Sequence, residues 1–329
     1  MNKAEPNNSQ PNLSDALIKL LLKEINPELS LEHLKDLINV LLDSLEKNKL
    51  ELDISKVNPA DKIYASGWPE EHKKVLIKSG LLEGNKAPIV LEGNNLSLRR
   101  WHFEMRQVID NLLKRNPSTK TFEDRSKVCK DIIQEKLNKD QLSAVKGIIN
   151  HGIILVSGGP GTGKTYTIIQ MLIQALNMRP DLNIGLAAPT GKATRRLKDT
   201  LLKNIKNIQQ PYKEKLEHIT CSTLHSWLEA SPGGFGKNKN SPLRLDVLII
   251  DEMSMVDLSL MQALLEALPS HTQLVLVGDP NQLPPVSCGA VWEQLQSDSV
   301  LKNFGQGAVH LHKLYRNRGK LASLAKVIK

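Results

Sequence analysis

The sequence predicts an α/β fold: a parallel β-sheet covered by helices on both faces, preceded by a small, mostly helical N-terminal domain. Three observations carry this prediction. From about Leu137 onward, short runs of β-branched and aliphatic residues alternate with helical segments, and each run is apolar at consecutive positions rather than at every second one. A strand apolar on both sides must be buried on both sides, as happens inside a helix-covered parallel sheet. The third observation is length. At 329 residues the chain exceeds what one hydrophobic core usually serves, about 250 to 300 residues, so two folded regions are expected.

Taken in order, residues 1–14 are rich in Asn, Pro and Ser and read as a disordered tail. Ala16 to Leu22 and Leu31 to Leu45 carry apolar residues at helical spacing. Ile89, Val90 and Leu91, then a Gly-Asn-Asn turn, then Leu96 and Leu98, predict a hairpin leading into a helix around Trp101 to Leu113. These elements make up an N-terminal domain over 15–116. A polar, charged stretch over 117–136 reads as a linker, and 137–329 as the main domain. Its strands are expected at Ile153–Val156, Ile184–Ala188, Val247–Ile250 and Leu274–Val277. Ser231 to Ser241, rich in Gly, Asn and Lys, reads as a surface loop. His310 and His312 alternate along a late strand and, with no Cys or carboxylate at metal-ligand spacing, read as surface residues.

A composition of 40% hydrophobic and 24% charged residues suits a globular chain and argues against wholesale disorder. The formal net charge of +9 favours a polyanionic partner, because basic proteins gain affinity for nucleic acid by displacing condensed counterions. A Lys-rich compositional habit gives the same number. The three cysteines, Cys129, Cys221 and Cys288, are far apart and lack any Cys-x-x-Cys spacing, so neither a disulfide framework nor a zinc site is indicated. The polar N-terminus has no signal-peptide core, and no run of about 18 apolar residues occurs. The expectation is a cytoplasmic protein that neither enters nor spans a membrane.

The strongest chemical signal is Gly158-Gly159-Pro160-Gly161-Thr162-Gly163-Lys164-Thr165, a P-loop that follows a predicted strand and opens a predicted helix. Glycines let backbone N–H groups curl around phosphate oxygens, and the helix that follows aims its positive end at them. Lys164 reaches the β- and γ-phosphates and Thr165 ligates Mg²⁺, so the expected cofactors are ATP and Mg²⁺. The run Val247–Ile250 ends in Asp251-Glu252 at the sheet edge where ligands sit in parallel sheets. Asp251 is expected to hold the metal and Glu252 to polarise the attacking water. Alone, Asp-Glu after a strand is often just a helix start; after a P-loop the catalytic reading prevails.

Other strings point past a generic nucleotide enzyme. Gly278-Asp279-Pro280-Asn281-Gln282-Leu283-Pro284-Pro285-Val286 resembles helicase motif III, which implies that Gln282 touches the γ-phosphate and relays its loss to the DNA-binding surface. Ala188-Pro189-Thr190-Gly191-Lys192-Ala193 and Ser222-Thr223-Leu224-His225-Ser226-Trp227-Leu228 resemble helicase motifs that grip single-stranded DNA. They make Pro189, Thr190, Lys192, Thr223 and His225 candidate DNA contacts, with Trp227 read as core. The segment Lys192 to Lys215 is strongly basic and is either a rim to a DNA groove or a solvated helix face. Leu137 to Val145 resembles the helicase Q motif, which implies that Gln141 pairs with adenine through its amide. Leu311 to Arg316 resembles motif IV, which implies that Arg316 reaches the γ-phosphate and stabilises transition-state charge.

Together these strings resemble superfamily 1 DNA helicases and, in wording, the RecD family, the alpha subunits of exodeoxyribonuclease V. The segments LDVLIIDEMSMVDLSLMQALLEALP, VGDPNQLPPVSCGAVW and STLHSWL decide it. The resemblance runs from about Pro88 to Lys329 and is loose over residues 1–87. It implies an ATP-hydrolysing motor that moves 5′-to-3′ on single-stranded DNA, in a complex with beta and gamma subunits, in double-strand break repair. Family members continue into a second RecA-like domain with motifs V and VI, whereas this sequence ends at Lys329. The expectation is therefore the first of two motor domains, weakly active alone. A non-catalytic nucleotide-binding assembly subunit and a conjugation- or transposon-type helicase are the alternatives.

Overall fold

The computed structural model describes residues 20–21, 31–57, 66–84, 87–115, 137–205, 212–285, 287 and 289–315. The expected tail and linker lie outside these residues, as does all but Leu20 and Leu21 of the first predicted helix. Contacts divide the chain into two compact units, Met1–Met105 with Ser287–Gly289 and Arg106–Val286 with Ala290–Lys329.

The first unit is built on helices α1 (Leu31–Glu46) and α2 (Glu70–Lys78) and an antiparallel sheet of β1 (Glu51–Asp53), β2 (Ile89–Glu92) and β3 (Asn95–Leu98), in the order β1-β3-β2. The predicted hairpin is β2–β3, its turn allowed by Gly93 at φ +63°. Strand β1 was not anticipated, since three residues are too few to show a period. Leu34, Leu37, Leu41, Ile54, Leu76, Leu81, Ile89 and Leu96 close the core of this unit. The helix predicted at Trp101–Leu113 is α3 (Arg99–Lys114), and the division between the two units falls within it.

The second unit is an all-parallel sheet ordered β11-β4-β10-β9-β5-β6. Its elements are α4 (Lys139–Asn150), β4 (Ile153–Gly158), α5 (Lys164–Met178), β5 (Ile184–Ala188), α6 (Gly191–Ile205), α7 (Tyr212–Glu217), β6 (Thr220–Thr223) and α8 (Leu224–Trp227). They are followed by β7 (Ala230–Ser231), β8 (Gly234–Phe235), β9 (Val247–Ile250), α9 (Leu258–Ala267), β10 (Gln273–Gly278), α10 (Val291–Leu295), α11 (Asp298–Phe304) and β11 (Ala308–Leu311). Every residue of β4, β5 and β9 is buried, as the apolar runs required. Ile154, Val156, Leu186, Ile249, Val275 and Val277 share one cluster with apolar residues of α4, α5 and α6, and their neighbours along the strands are buried on the other face.

Two readings are corrected. Ser231 to Ser241 is more than a loop: β7, which begins at Ala230, pairs antiparallel with β8, and Asn238 bridges to Ser241. His310 is held into the sheet edge by a hydrogen bond between its Nδ1 and Ser157 Oγ at 2.8 Å, so it is part of the packing rather than a bare surface residue. Trp227 is half-buried, its Nε1 donating to Leu186 O at 3.0 Å.

Candidate active site

Strands β4, β10 and β9 are neighbours in register, Gly278 beside Ser157 and Leu276 beside Ile250. Whatever follows their carboxyl ends must therefore meet. After β4 comes the P-loop. Gly161 and Gly163 take φ +79° and +88°, a region that suits glycine. A Cβ on Gly163 would also stand 2.8 Å from Gln141 Nε2, and one on Gly158 2.8 Å from Thr162 Oγ1. Thr162 is buried and braces the loop from inside, its hydroxyl donating to Gly159 O at 2.9 Å. Lys164, at the first turn of α5, curls its Nζ back to Gly158 O at 2.7 Å and Gly159 O at 3.3 Å. Pro160 is exposed on the outer rim and Thr165 half-buried beside Lys164.

After β9 come Asp251 and Glu252. Removal from water, then the neighbouring Glu252 charge, pushes the Asp251 carboxyl up to about 6, against the opposing pull of the Glu252 N–H, Lys164 and Arg196. The Glu252 N–H donates to Asp251 Oδ1 at 2.9 Å. Glu252 sits at φ +56°, a strained setting for a side-chain-bearing residue, and its Oε2 is buried without a hydrogen-bond partner among the described residues. Two carboxylates held together in this way can hold a cation. Together with a glycine turn at a helix N-terminus, they fit a magnesium nucleoside triphosphate.

After β10, Asp279 is buried and its Oδ1 accepts from the Asn281 N–H at 2.9 Å, which shapes the turn that carries Gln282. Gln282 Oε1 accepts from Ser254 Oγ at 2.8 Å. Ser254 lies in the 3-10 turn that begins directly after Glu252, so the two motifs are physically joined. Nothing in the sequence pattern marked Ser254. Lys164, Asp251 and Gln282 thus share one edge of one sheet.

The candidate DNA contacts occupy the same edge farther along, where β5 and β6 end. Thr190 Oγ1 accepts from the Ala193 N–H at 3.2 Å, and Thr223 Oγ1 from the Ser226 N–H at 3.1 Å; both hydroxyls cap the helix that follows. Pro189 is half-buried before α6, whereas Lys192 and His225 are exposed, the latter with its ring 6.4 Å from Phe235. The basic run resolves in part into an exposed helix face, with Arg195, Arg196 and Lys198 solvent-facing on α6.

Gln141 is buried, and its amide oxygen is already engaged: it accepts from the Asn138 N–H at 3.2 Å in a capping box at the start of α4 and from the Tyr315 hydroxyl at 3.1 Å. Tyr315 was overlooked on sequence, although it lies inside the motif IV string. Its N–H donates to Gly161 O at 2.8 Å, and its half-exposed ring stands beside Gly163. Arg316 lies outside the described residues.

Fold and site define the class: an α/β P-loop nucleoside triphosphatase. A family model described as an AAA domain matches residues 141–288. RecBCD enzyme subunit RecD of Buchnera aphidicola is 34% identical over 235 residues, 69% of this chain and 38% of that protein. The subunit of the same name from Mycolicibacterium smegmatis is 34% identical over 275 residues, 80% of this chain and 48% of that protein. The ATP-dependent RecD2 DNA helicase of Deinococcus radiodurans is 38% identical over 155 residues, 46% of this chain and 19% of that protein. The chain spans less than half the length of these relatives. By sequence the chain is similar to RecD subunits and to a RecD2 helicase over part of their length.

Proposed function

We propose that this chain carries the ATP site of a DNA helicase subunit that tracks 5′-to-3′ along single-stranded DNA in the cytoplasm. It serves as one motor of an exodeoxyribonuclease V type complex with beta and gamma subunits, acting in double-strand break repair. Names of relatives support the assignment, two being RecBCD enzyme subunits and one an ATP-dependent DNA helicase. The observation that carries it is the joining of Gln282 to the turn behind Asp251 and Glu252 through Ser254. A simple nucleotide store needs no such link; a motor must report hydrolysis elsewhere.

Each residue then has a physical task. Backbone N–H groups of the P-loop from Gly159 to Thr165, with the positive end of α5, cradle the phosphates. Lys164 exchanges the Gly158 and Gly159 carbonyls for the β- and γ-phosphates. Thr165 and Asp251 are the ligands for Mg²⁺, which when bound neutralises charge on the triphosphate. Glu252 takes the proton of the attacking water, since its Oε2 spends no basicity on a hydrogen bond with any described residue. Tyr315 and the Gln141 amide form the base side of the pocket, and Arg316, directly after Tyr315, is the candidate for transition-state charge. The Thr190 and Thr223 hydroxyl oxygens accept the cap bonds and keep an O–H to donate, so DNA phosphates are met by these hydroxyls, by backbone N–H groups of the two turns and by Lys192, with Pro189 and His225 at the rim.

The test is ATP hydrolysis by the full-length gene product with and without single-stranded DNA, beside Lys164→Ala and Glu252→Gln. Stimulation by DNA that both substitutions abolish supports the motor. Hydrolysis indifferent to DNA defeats it, and nucleotide binding without hydrolysis leaves the non-catalytic assembly subunit.

A further inference from the structure

The segment after β11 leaves the sheet at Leu311, yet Tyr315 arrives at the P-loop with defined geometry. A chain outside a ladder needs other anchors, and the start of α4 supplies them. Asp140 Oδ2 accepts from both the backbone N–H and Nδ1 of His312, each at 3.1 Å. Asn138 Nδ2 donates to the Tyr315 hydroxyl at 2.9 Å, and that hydroxyl donates to Gln141 Oε1 at 3.1 Å. The Tyr315 N–H closes the path on Gly161 O at 2.8 Å. The ring edge then lies 3.6 Å from where a Cβ on Gly163 would stand, with Lys313 Nζ 5.2 Å from the ring centroid.

These anchors divide by what they fix. Asn138 and Gln141 hold the tip of the ring and Gly161 holds its backbone, so none of them sets the course of the chain between Leu311 and Tyr315. That course is set by the bond from the His312 N–H to Asp140, the one carboxylate in the set. The charge on Asp140 suits this position, for it lies in the first turn of α4, where a helix N-terminus favours an anion.

We propose that Asp140 is a positioning residue for nucleotide recognition: by tying down the backbone at His312 it presents the Tyr315 ring as a platform for the base, and so sets how much the base adds to affinity. The proposal rests on the reading that the P-loop holds the triphosphate. Asp140 touches neither phosphate nor metal in this scheme, so phosphate binding is independent of it. The side-chain bond from His312 Nδ1 is an accessory, whereas the backbone bond is required.

The experiment compares magnesium ATP with magnesium tripolyphosphate, which has the phosphates and no base, by titration calorimetry on this chain. Stacking of a base on an aromatic ring is worth about five- to a hundredfold in affinity. Asp140→Ala is expected to weaken ATP by about tenfold on that scale and leave tripolyphosphate unchanged. Asp140→Asn keeps an acceptor for the His312 N–H and restores most of the loss, and His312→Ala costs little. Asp140→Ala combined with Tyr315→Ala is no weaker than Tyr315→Ala alone, as expected when one residue acts through the other. Equal losses for ATP and tripolyphosphate, or additive losses in the double variant, overturn the proposal. A wild-type chain that binds neither ligand overturns the P-loop reading and this proposal with it. Thermal unfolding without ligand identifies any variant that has lost its fold, and His312→Ala and Asp140→Asn, milder changes at the same contact, still decide the matter.

Discussion

The two edges of the parallel sheet are built from the same strands and helices and have opposite polar economies. At the amino edge the cations sit where α3, α5 and α9 end, facing carbonyl groups, as helix C-termini favour. Arg115, buried, donates to Pro269 O at 2.6 Å, Leu268 O at 2.7 Å and Thr272 O at 3.3 Å. Gln273 Nε2 bridges Ile148 O and His151 O, and Asp246 accepts from the Asn183 N–H and from Arg179. A cavity of about 340 Å³ opens there, lined by Arg115, Arg179, Asp246 and Gln273 among others, and these four are already bonded to protein. At the carboxyl edge the opposite holds. Asp251 is pushed up to about 6, Glu252 is strained with an unpartnered buried oxygen, and Lys164 leans on loop carbonyls. One edge is satisfied within the fold, and the other is left for a ligand to satisfy. A cavity alone is therefore a poor guide to function here; unmet polar demand is the better one.

If that contrast is right, substitutions at the two edges must split stability from binding. The largest effect belongs to Lys164→Ala, which removes the cation proposed to meet the phosphates. Loss of a buried charge partner costs about 2–5 kcal/mol, so magnesium ATP should bind this chain at least about thirtyfold more weakly by calorimetry, with the unfolding midpoint nearly unchanged. Next comes Arg115→Met at the other edge. It strands three carbonyls at the end of α9 and should cost about 2–4 kcal/mol in denaturant unfolding, while folded protein keeps its ATP affinity. Parallel loss of ATP binding would break the contrast.

Asp251→Asn should do the reverse of Arg115→Met and stabilise the ligand-free chain. The sign follows from the raised pKa: above pH 6 the folded state carries a charge that the unfolded chain, with an ordinary carboxylate near 3.8, bears more easily. Stability from this group therefore rises as pH falls from about 6 to about 4, and the cost is fully present at pH 7. In chelator at pH 7, Asp251→Asn should gain about 1–3 kcal/mol, lose that stretch of pH dependence, and lose the preference for ATP with magnesium over ATP alone. An unchanged or lower midpoint would show that Asp251 is already satisfied in the ligand-free fold.

Legibility in the sequence followed the same division. The central strands were readable because burial on both faces forces continuous apolar runs, and β5 and β9 fall on the predicted residues. Strand β6, with the sequence Thr-Cys-Ser-Thr, was not readable, because an edge strand only partly buried needs no such run. The P-loop was legible since its chemistry is local: consecutive glycines, one lysine and the helix that follows. Contacts across the chain were not. Tyr315 reaches Gly161 and Gln141 from more than 150 residues away, and Ser254 meets Gln282 across 28 residues. No spacing encodes either pair until the sheet order β11-β4-β10-β9 brings their strands side by side. The amide oxygen of Gln141 also serves the α4 cap and Tyr315, a second role that its motif did not reveal.

The smallest effect, and the sharpest for the motor reading, is Ser254→Ala. Ser254 is buried, and its hydroxyl donates to Gln282, an exposed residue on the turn after β10. Losing one such bond should lower stability by only about 1 kcal/mol, since Gln282 can turn to water. Affinity for ATP should also hold, because neither group is needed to seat the phosphates. What the substitution removes is the mechanical link between the turn behind Glu252 and the residue expected to sense the γ-phosphate. In the full-length gene product, basal ATP hydrolysis should therefore persist while its stimulation by single-stranded DNA falls several-fold; Ser254→Thr, which keeps the hydroxyl, should recover it. If stimulation survives in Ser254→Ala, the bond only tidies the carboxyl edge, and the signal from nucleotide to DNA must run through another contact of Gln282.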